Sequence, residues 1–339
     1  MTARRLLLFA VCLLVAQACS APASPIGRSD GASVSGYRVV RDVRLPGDTS
    51  RWDYQAYDAA AHRLYIAHLG AGEVVVFDTQ RQNVVATIHD VAGVHGLGLA
   101  PDLHRLYASA TGRNELAIID TETFQRLTSV PAGDYPDGVT YAPGAGRVFV
   151  SDEGGTGDTV VEATSGRPVG TVELGGDIGN SQYDVATDRV YVAVGSDNVL
   201  AAVDPRSLRV VNRRRLGGCS GAHGVQVDAA DRHRVFVSCE GNAKLVAVDL
   251  ATGRSGPAID VGDGPDVLAL DPGRSRLYVA AESGSLTVVD VGGASPKVVA
   301  RGSAGPNAHS VAVDPETHIA YFPLTDVGGH PVLRELAQS

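Results

Sequence analysis

Among its 339 residues the chain has one Met, one Trp and six Phe, and nowhere does it sustain a long helical period. Helical bundles and α/β layers need such periods, so both are excluded. It has no phosphate loop, no dinucleotide fingerprint and no Ser-His-Asp constellation. Its TGRN, SGR and GGDIG segments are glycine turns at repeat positions. Positive charge is also short, with 29 Lys and Arg against 38 Asp and Glu and a net charge of -9, which disfavours a nucleic-acid partner. The run Arg213-Arg214-Arg215 reads as charge guarding an outer strand from pairing with another chain.

The apolar run from Leu6 to Val15 is too short to span a bilayer. Preceded by Arg4 and Arg5 and followed by Ala16-Gln17-Ala18-Cys19, it has the parts of a secretory signal. The expected organisation is a signal peptide over 1–18, a flexible Ser/Gly/Ala/Pro-rich tether over 19–36 and one folded domain over 37–339. Ala16 and Ala18 suit ordinary cleavage and soluble secretion, whereas Cys19 at the cut resembles a bacterial lipoprotein site with Cys19 lipidated and a lipid anchor to the membrane. Ala16 stands where the usual lipobox has Leu. Either route places the protein outside the cytoplasm, in the cell envelope or secreted.

What is present is repetition. Seven segments place a polar residue in one recurring slot: Asp53, His95, Asp137, Asn180, His223, Asp266 and His309, spaced by 42 or 43 residues. Each period carries four strand-like runs separated by Asp, Gly, Asn and Pro turns, the mark of a β-propeller blade. The expected fold is therefore all-β: a seven-bladed propeller with four antiparallel strands per blade. The last copy stops after a third strand, and an unpartnered fourth-strand pattern from Tyr37 to Gly47 precedes the first slot. Those fragments complete one blade, so the N-terminal strand is expected to close the ring.

The second strands (RLYIAH from Arg63, RVYVAV from Arg189, RLYVAA from Arg276) and third strands (VVVFDT, LAIIDT) resemble the YVTN-repeat β-propeller family over the whole mature chain. The resemblance implies the fold and leaves function open, since such propellers serve as surface proteins, binding platforms and enzymes. Asp78, Asp120, Glu162, Asp204, Asp249 and Asp290, ending third strands, match the family's turn position and are assigned turn hydrogen bonding.

Function has to come from residues the repeat does not require. The slot opens the innermost strand of each blade at one mouth of the channel. Three of ten histidines occupy the seven slots, where blind placement puts fewer than one. His95, His223 and His309 fall on blades two, five and seven, close to an even triangle, and suit a divalent transition metal, zinc or another. Asp53, Asp137, Asn180, Asp266 and the loop residue His68 are candidate ligand-binding groups, and Glu153, Glu240 and Glu282 candidate acids or bases. Glu240, beside Cys239 on the blade of His223, is the strongest of these for general base. His62, His104, His233 and His318 sit in hairpin turns at the opposite face.

Cys219, in the loop entering blade five, and Cys239, at the end of that blade's second strand, fall together on the face of the slot residues and read as a disulfide in an exported protein. Two buried thiols and a thiolate metal site are the alternatives. Two function classes follow: a metal-dependent lyase or lactone/ester hydrolase on a small substrate, and a non-catalytic envelope protein using the same face to bind a ligand or partner. The competing reading of the ring itself is a water-filled polar mouth whose side chains merely bond to neighbouring backbone.

Overall fold

The computed structural model describes residues 33–228 and 233–339. The signal segment, Cys19 and most of the 19–36 stretch lie outside the described residues. Seven antiparallel sheets follow in sequence, each with its first strand innermost. The first blade runs Gln55–Asp58, Arg63–His68, Glu73–Asp78 and Asn83–Ile88, and this order holds round the ring. In blade seven, Tyr37–Arg44 pairs antiparallel with Val332–Gln338, Tyr37 opposite Gln338 and Arg44 opposite Val332, so the two ends of the chain share one sheet. Ser33–Val34, within the stretch expected to be tether, adds a fifth strand to blade six against Lys297–Ser303.

Why these residues build blades is visible position by position. The third residue of the second strand is aromatic in six blades (Tyr65, Tyr107, Phe149, Tyr191, Phe236, Tyr278), Tyr321 takes the matching place in blade seven, and each is buried in the core between blades. Burying one such ring contributes about 1.5–3 kcal/mol. The arginine opening a second strand reaches across to the next blade: Arg63 donates to Thr121 O, Arg147 to Pro205 O and Arg234 to Val291 O. Carboxylates ending third strands accept from turn amides, as Asp78 does from Gln80 and Arg81 and Asp204 from Arg206 and Ser207. At the opposite face His62, His104, His233 and His318 occupy left-handed hairpin positions (φ 50°, 51°, 46° and 59°).

One residue breaks the packing rule. Third strands carry Val74, Leu116, Leu200, Leu245, Leu286 and Leu333 at their second position, all buried, and blade three carries Asp158 there. It is fully buried, and neither carboxyl oxygen has a hydrogen-bond partner. Burial, then the charge of nearby Asp152, pushes its pKa well above the ordinary value, and burial raises Asp152 to about 6. Both folded-state values exceed the unfolded 3.8, so the protonated state is favoured by folding. The associated stability is complete below the unfolded value and is lost as pH rises through about 6 for Asp152 and further for Asp158. Asp158→Leu is expected to raise unfolding free energy at pH 7 by about 2 kcal/mol and flatten that pH dependence, read by urea titration at pH 5 and pH 8.

Candidate functional site

The slot residues converge because the backbone around them is stripped of side chains. A Cβ on Gly96 would stand 2.0 Å from the carbonyl oxygen of Asp137, one on Gly224 2.1 Å from that of Asp266, and one on Gly138 2.3 Å from Asn180 Oδ1. Neighbouring slots therefore approach one another more closely than any larger residue allows. Buried serines fix the register. Ser109 Oγ accepts from Gly96 N and donates to Asp137 O, and Ser238 Oγ accepts from Gly224 N and donates to Asp266 O.

The result is a cavity of about 320 Å³ at the channel mouth, near the lower end of small-molecule sites (roughly 300–1,000 Å³). Its floor is Tyr54, which follows the first slot and fills the channel axis. Asn180 donates to the Tyr54 hydroxyl, which lies 3.4 Å from both Asp137 Oδ2 and Asp266 Oδ1. The walls are Asp53, His95, Asp137, Glu153, His223, Glu240, Asp266 and Glu282, together with Arg51 and Tyr135.

The histidines do not meet as a tripod. His309 Nδ1 donates to Asn307 O (3.0 Å) and His95 Nδ1 to Gly93 O (2.8 Å); a carbonyl only accepts, so Nδ1 carries the proton and Nε2 faces the site in both. His95 Nε2 is 3.3 Å from the Tyr135 hydroxyl. His223 Nε2 lies 3.3 Å from Asp266 Oδ1. Burial alone lowers the His223 pKa, but the hydrogen bond and charge of Asp266, then Asp137, outweigh it and bring it to about 10. Each of these two rings is thus captured by a neighbour. The group that assembles instead is mixed: Asp53, Asp266 and His309 present ligand atoms all within 4.8 Å of one another, every residue buried.

That group is electrically unfinished. Asp53 is 1 % exposed, and neither of its carboxylate oxygens has a hydrogen-bond partner; nor has His309 Nε2. The nearest side-chain nitrogens to Asp53 are Arg51 Nε at 3.8 Å, His309 Nε2 at 3.8 Å and His95 Nε2 at 3.9 Å. A buried carboxylate without donors costs several kcal/mol in the absence of a compensating cation, roughly the penalty of a broken buried ion pair. Two carboxylate oxygens and one imidazole nitrogen suit Zn²⁺, Fe²⁺ or Mn²⁺.

The other expected residues separate by what already holds them. Glu282 accepts from Arg51 (2.7 Å) and Asn307 (3.2 Å), so its carboxylate is committed. Glu153 and Glu240 make no side-chain hydrogen bond or ion pair among the described residues and face the cavity; burial raises the Glu153 pKa above its ordinary value. Asp137 is pushed well above the carboxylate range by burial, then by the charge of Asp53. His68 is not part of the cavity. Its ring is stacked flat on Trp52 (3.8 Å, 7°) and capped by Ser50, whose hydroxyl is 3.1 Å from Nε2. Although Asp48, Ser50 and His68 touch, Asp48 bonds the Ser50 hydroxyl and His68 Nδ1 has no partner, so no relay exists.

Cys219 and Cys239 are joined by a disulfide, Cα atoms 5.3 Å apart, which ties the segment leading into His223 to the one leading into Glu240. Arg51, Tyr54 and Tyr135 were not among the residues expected from the slot pattern. Each sits one or two positions from a slot, where the repeat elsewhere carries mostly glycine or small residues.

Solved structures share the architecture. Hydrazine synthase from Kuenenia stuttgartiensis aligns with TM-score 0.74 at 16% identity over 87% of this chain and 97% of that one. Streptogramin B lyase aligns with TM-score 0.74 at 12% identity over 89% and 98%. The β-propeller domain of Cps50 (Swd1) from Myceliophteria thermophila aligns with TM-score 0.73 at 11% identity over 89% and 100%. At such identities the likeness establishes the propeller and nothing finer. No family model matches the chain, and no curated protein matches its sequence.

Proposed function

We propose that the channel mouth is a divalent-metal centre at which an exported enzyme of the YVTN-repeat type acts on a small substrate, as a lyase or a lactone or ester hydrolase. The observation that carries this reading is the buried pair of orphaned ligands, the Asp53 carboxylate and His309 Nε2, gathered with Asp266. Asp53, Asp266 and His309 would hold the ion, with Asp266 also oriented by protonated His223. When bound, such an ion supplies Lewis acidity toward a carbonyl oxygen or a water.

The remaining chemistry belongs to the chain. Glu240, uncommitted and facing the cavity, takes a proton from substrate or water. Arg51, braced by Glu282, presents a fixed positive edge beside Asp53. Tyr54 and Asp137 close the floor against the rest of the channel. Streptogramin B lyase shares the fold, and the lyase reading is drawn by analogy with it. The Cys219–Cys239 bridge supports maturation in an oxidising compartment.

A panel of small lactones, esters and β-eliminable substrates assayed with metal-loaded protein tests the proposal. Glu240→Gln is expected to retain metal and lose about 10²–10⁴-fold in kcat. Turnover of nothing in the panel, with no metal retained after purification without chelator or affinity-tag metal, favours the non-catalytic binding protein instead.

A further inference from the structure

Tyr135 occupies a left-handed backbone position that four other blades fill with Gly or Asn. Two residues before the slot the chain is left-handed in five blades, at Gly93 (φ 59°), Gly221 (65°), Gly264 (62°), Asn307 (52°) and Tyr135 (49°). Glycine and asparagine adopt that conformation readily; a bulky aromatic residue there is a strained outlier. The fold does not ask for the ring, since four other blades make the same turn without one. Strain of this kind, held beside a cleft, points to a use for the side chain.

The ring lies over the cavity. Tyr135 is 45% exposed, sets its edge against His95 (centroids 5.3 Å apart, planes at 60°) and donates toward His95 Nε2. The adjoining wall on the same blade is Glu153, whose amide donates to Tyr135 O and whose carboxylate is unpaired. Six carboxyl residues line the chamber against a single arginine, and that arginine is already hydrogen-bonded to Glu282. Asp137 Oδ1, 4% exposed as a residue, is a further buried acceptor with no partner.

An aromatic face beside an unpaired carboxylate, in a chamber of excess negative charge, is the chemistry that recognises an organic cation. We infer that the substrate carries a cationic nitrogen group, such as an ammonium, guanidinium or quaternary ammonium, seated against the Tyr135 ring and Glu153. Anionic substrates are repelled. The inference deepens the reading above by naming the substrate class, and it rests on that cavity being the site.

Choline, methylammonium, the neutral choline isostere 3,3-dimethyl-1-butanol and the anion 3,3-dimethylbutanoate serve as probes, titrated by NMR or calorimetry into the full protein with and without added Zn²⁺. Choline is expected to saturate, with the neutral isostere about tenfold weaker or more and the anion not binding. Tyr135→Phe keeps affinity within about twofold, whereas Tyr135→Gly and Glu153→Gln each lose about fivefold or more. Because Tyr135→Gly relieves the left-handed strain, its melting temperature is expected to rise, which separates loss of the ring from loss of the fold. Equal binding of the neutral isostere, unchanged affinity in Tyr135→Gly, or no saturable binding of either cation overturns the inference. Cation binding that persists in chelated protein upholds it even where the metal centre fails, and metal binding without cation preference does the reverse.

Discussion

Asp53→Asn is expected to abolish stoichiometric divalent-metal retention while leaving the propeller folded. The carboxylate is the shared member of the buried group, with His309 Nε2 on one side and Asp266 within 4.8 Å, and neither of its oxygens is satisfied by the protein. Removing a ligand of this kind exceeds the about 10–100-fold loss that changes outside the ligand set produce. His309→Ala should match it. His95→Ala belongs in the milder range, because Tyr135 already engages that imidazole, and His223→Ala acts through Asp266. A further consequence separates ligand loss from misfolding. In metal-free protein Asp53→Asn removes a buried charge that accepts no hydrogen bond, so the chelated variant should be at least as stable as chelated wild type. Dialysed samples compared by elemental analysis and melting curves, with and without Zn²⁺, read both effects. A variant that keeps its metal contradicts the assignment.

Asp42→Ala is expected to cost about 3–5 kcal/mol of global stability, the largest single-residue effect in the fold. Arg334 is fully buried in blade seven and donates two bonds to Asp42 (2.8 and 2.7 Å) and one to Ala304 O (3.0 Å). Asp42 comes from the N-terminal strand, so this pair clamps the closure of the ring. Truncating the acid leaves a buried guanidinium short of charge. The double variant Asp42→Leu, Arg334→Met should recover much of the loss, since replacing a buried pair by apolar groups is far cheaper than halving it. Urea midpoints shifting at constant m-value register the effect, and an unchanged midpoint in Asp42→Ala removes the clamp from the account.

The sequence pattern anticipated the ring, the strand order and the circular closure because each depends on repetition, and repetition survives without knowledge of side-chain conformation. Slot residues were legible for the same reason. What the pattern does not carry is the partner each side chain chooses. An evenly spaced triangle of histidines suggested a tripod, yet Tyr135 holds His95 and Asp266 holds His223, leaving His309 to join two aspartates. His68 ends a second strand at the correct face and is nevertheless withdrawn by stacking on Trp52, a contact between segments that no spacing encodes. Arg51, Tyr54 and Tyr135 escaped notice because they flank the slot. Their signal was present as departures from glycine or small residues at fixed offsets, Tyr135 most clearly, and it becomes meaningful once the backbone shows a left-handed turn there. The pairing of Ser33–Val34 with blade six had no counterpart in the repeat at all.

Anomalous diffraction at the metal absorption edge, from crystals grown without chelator and soaked with Zn²⁺ or Mn²⁺, tests the central claim most directly. The expected result is one strong peak per molecule at the channel mouth, bounded by Asp53, Asp266 and His309. A mouth without a peak in crystals that bind the ion elsewhere, or a peak ligated by His95 and His223 with Asp53 left out, contradicts it.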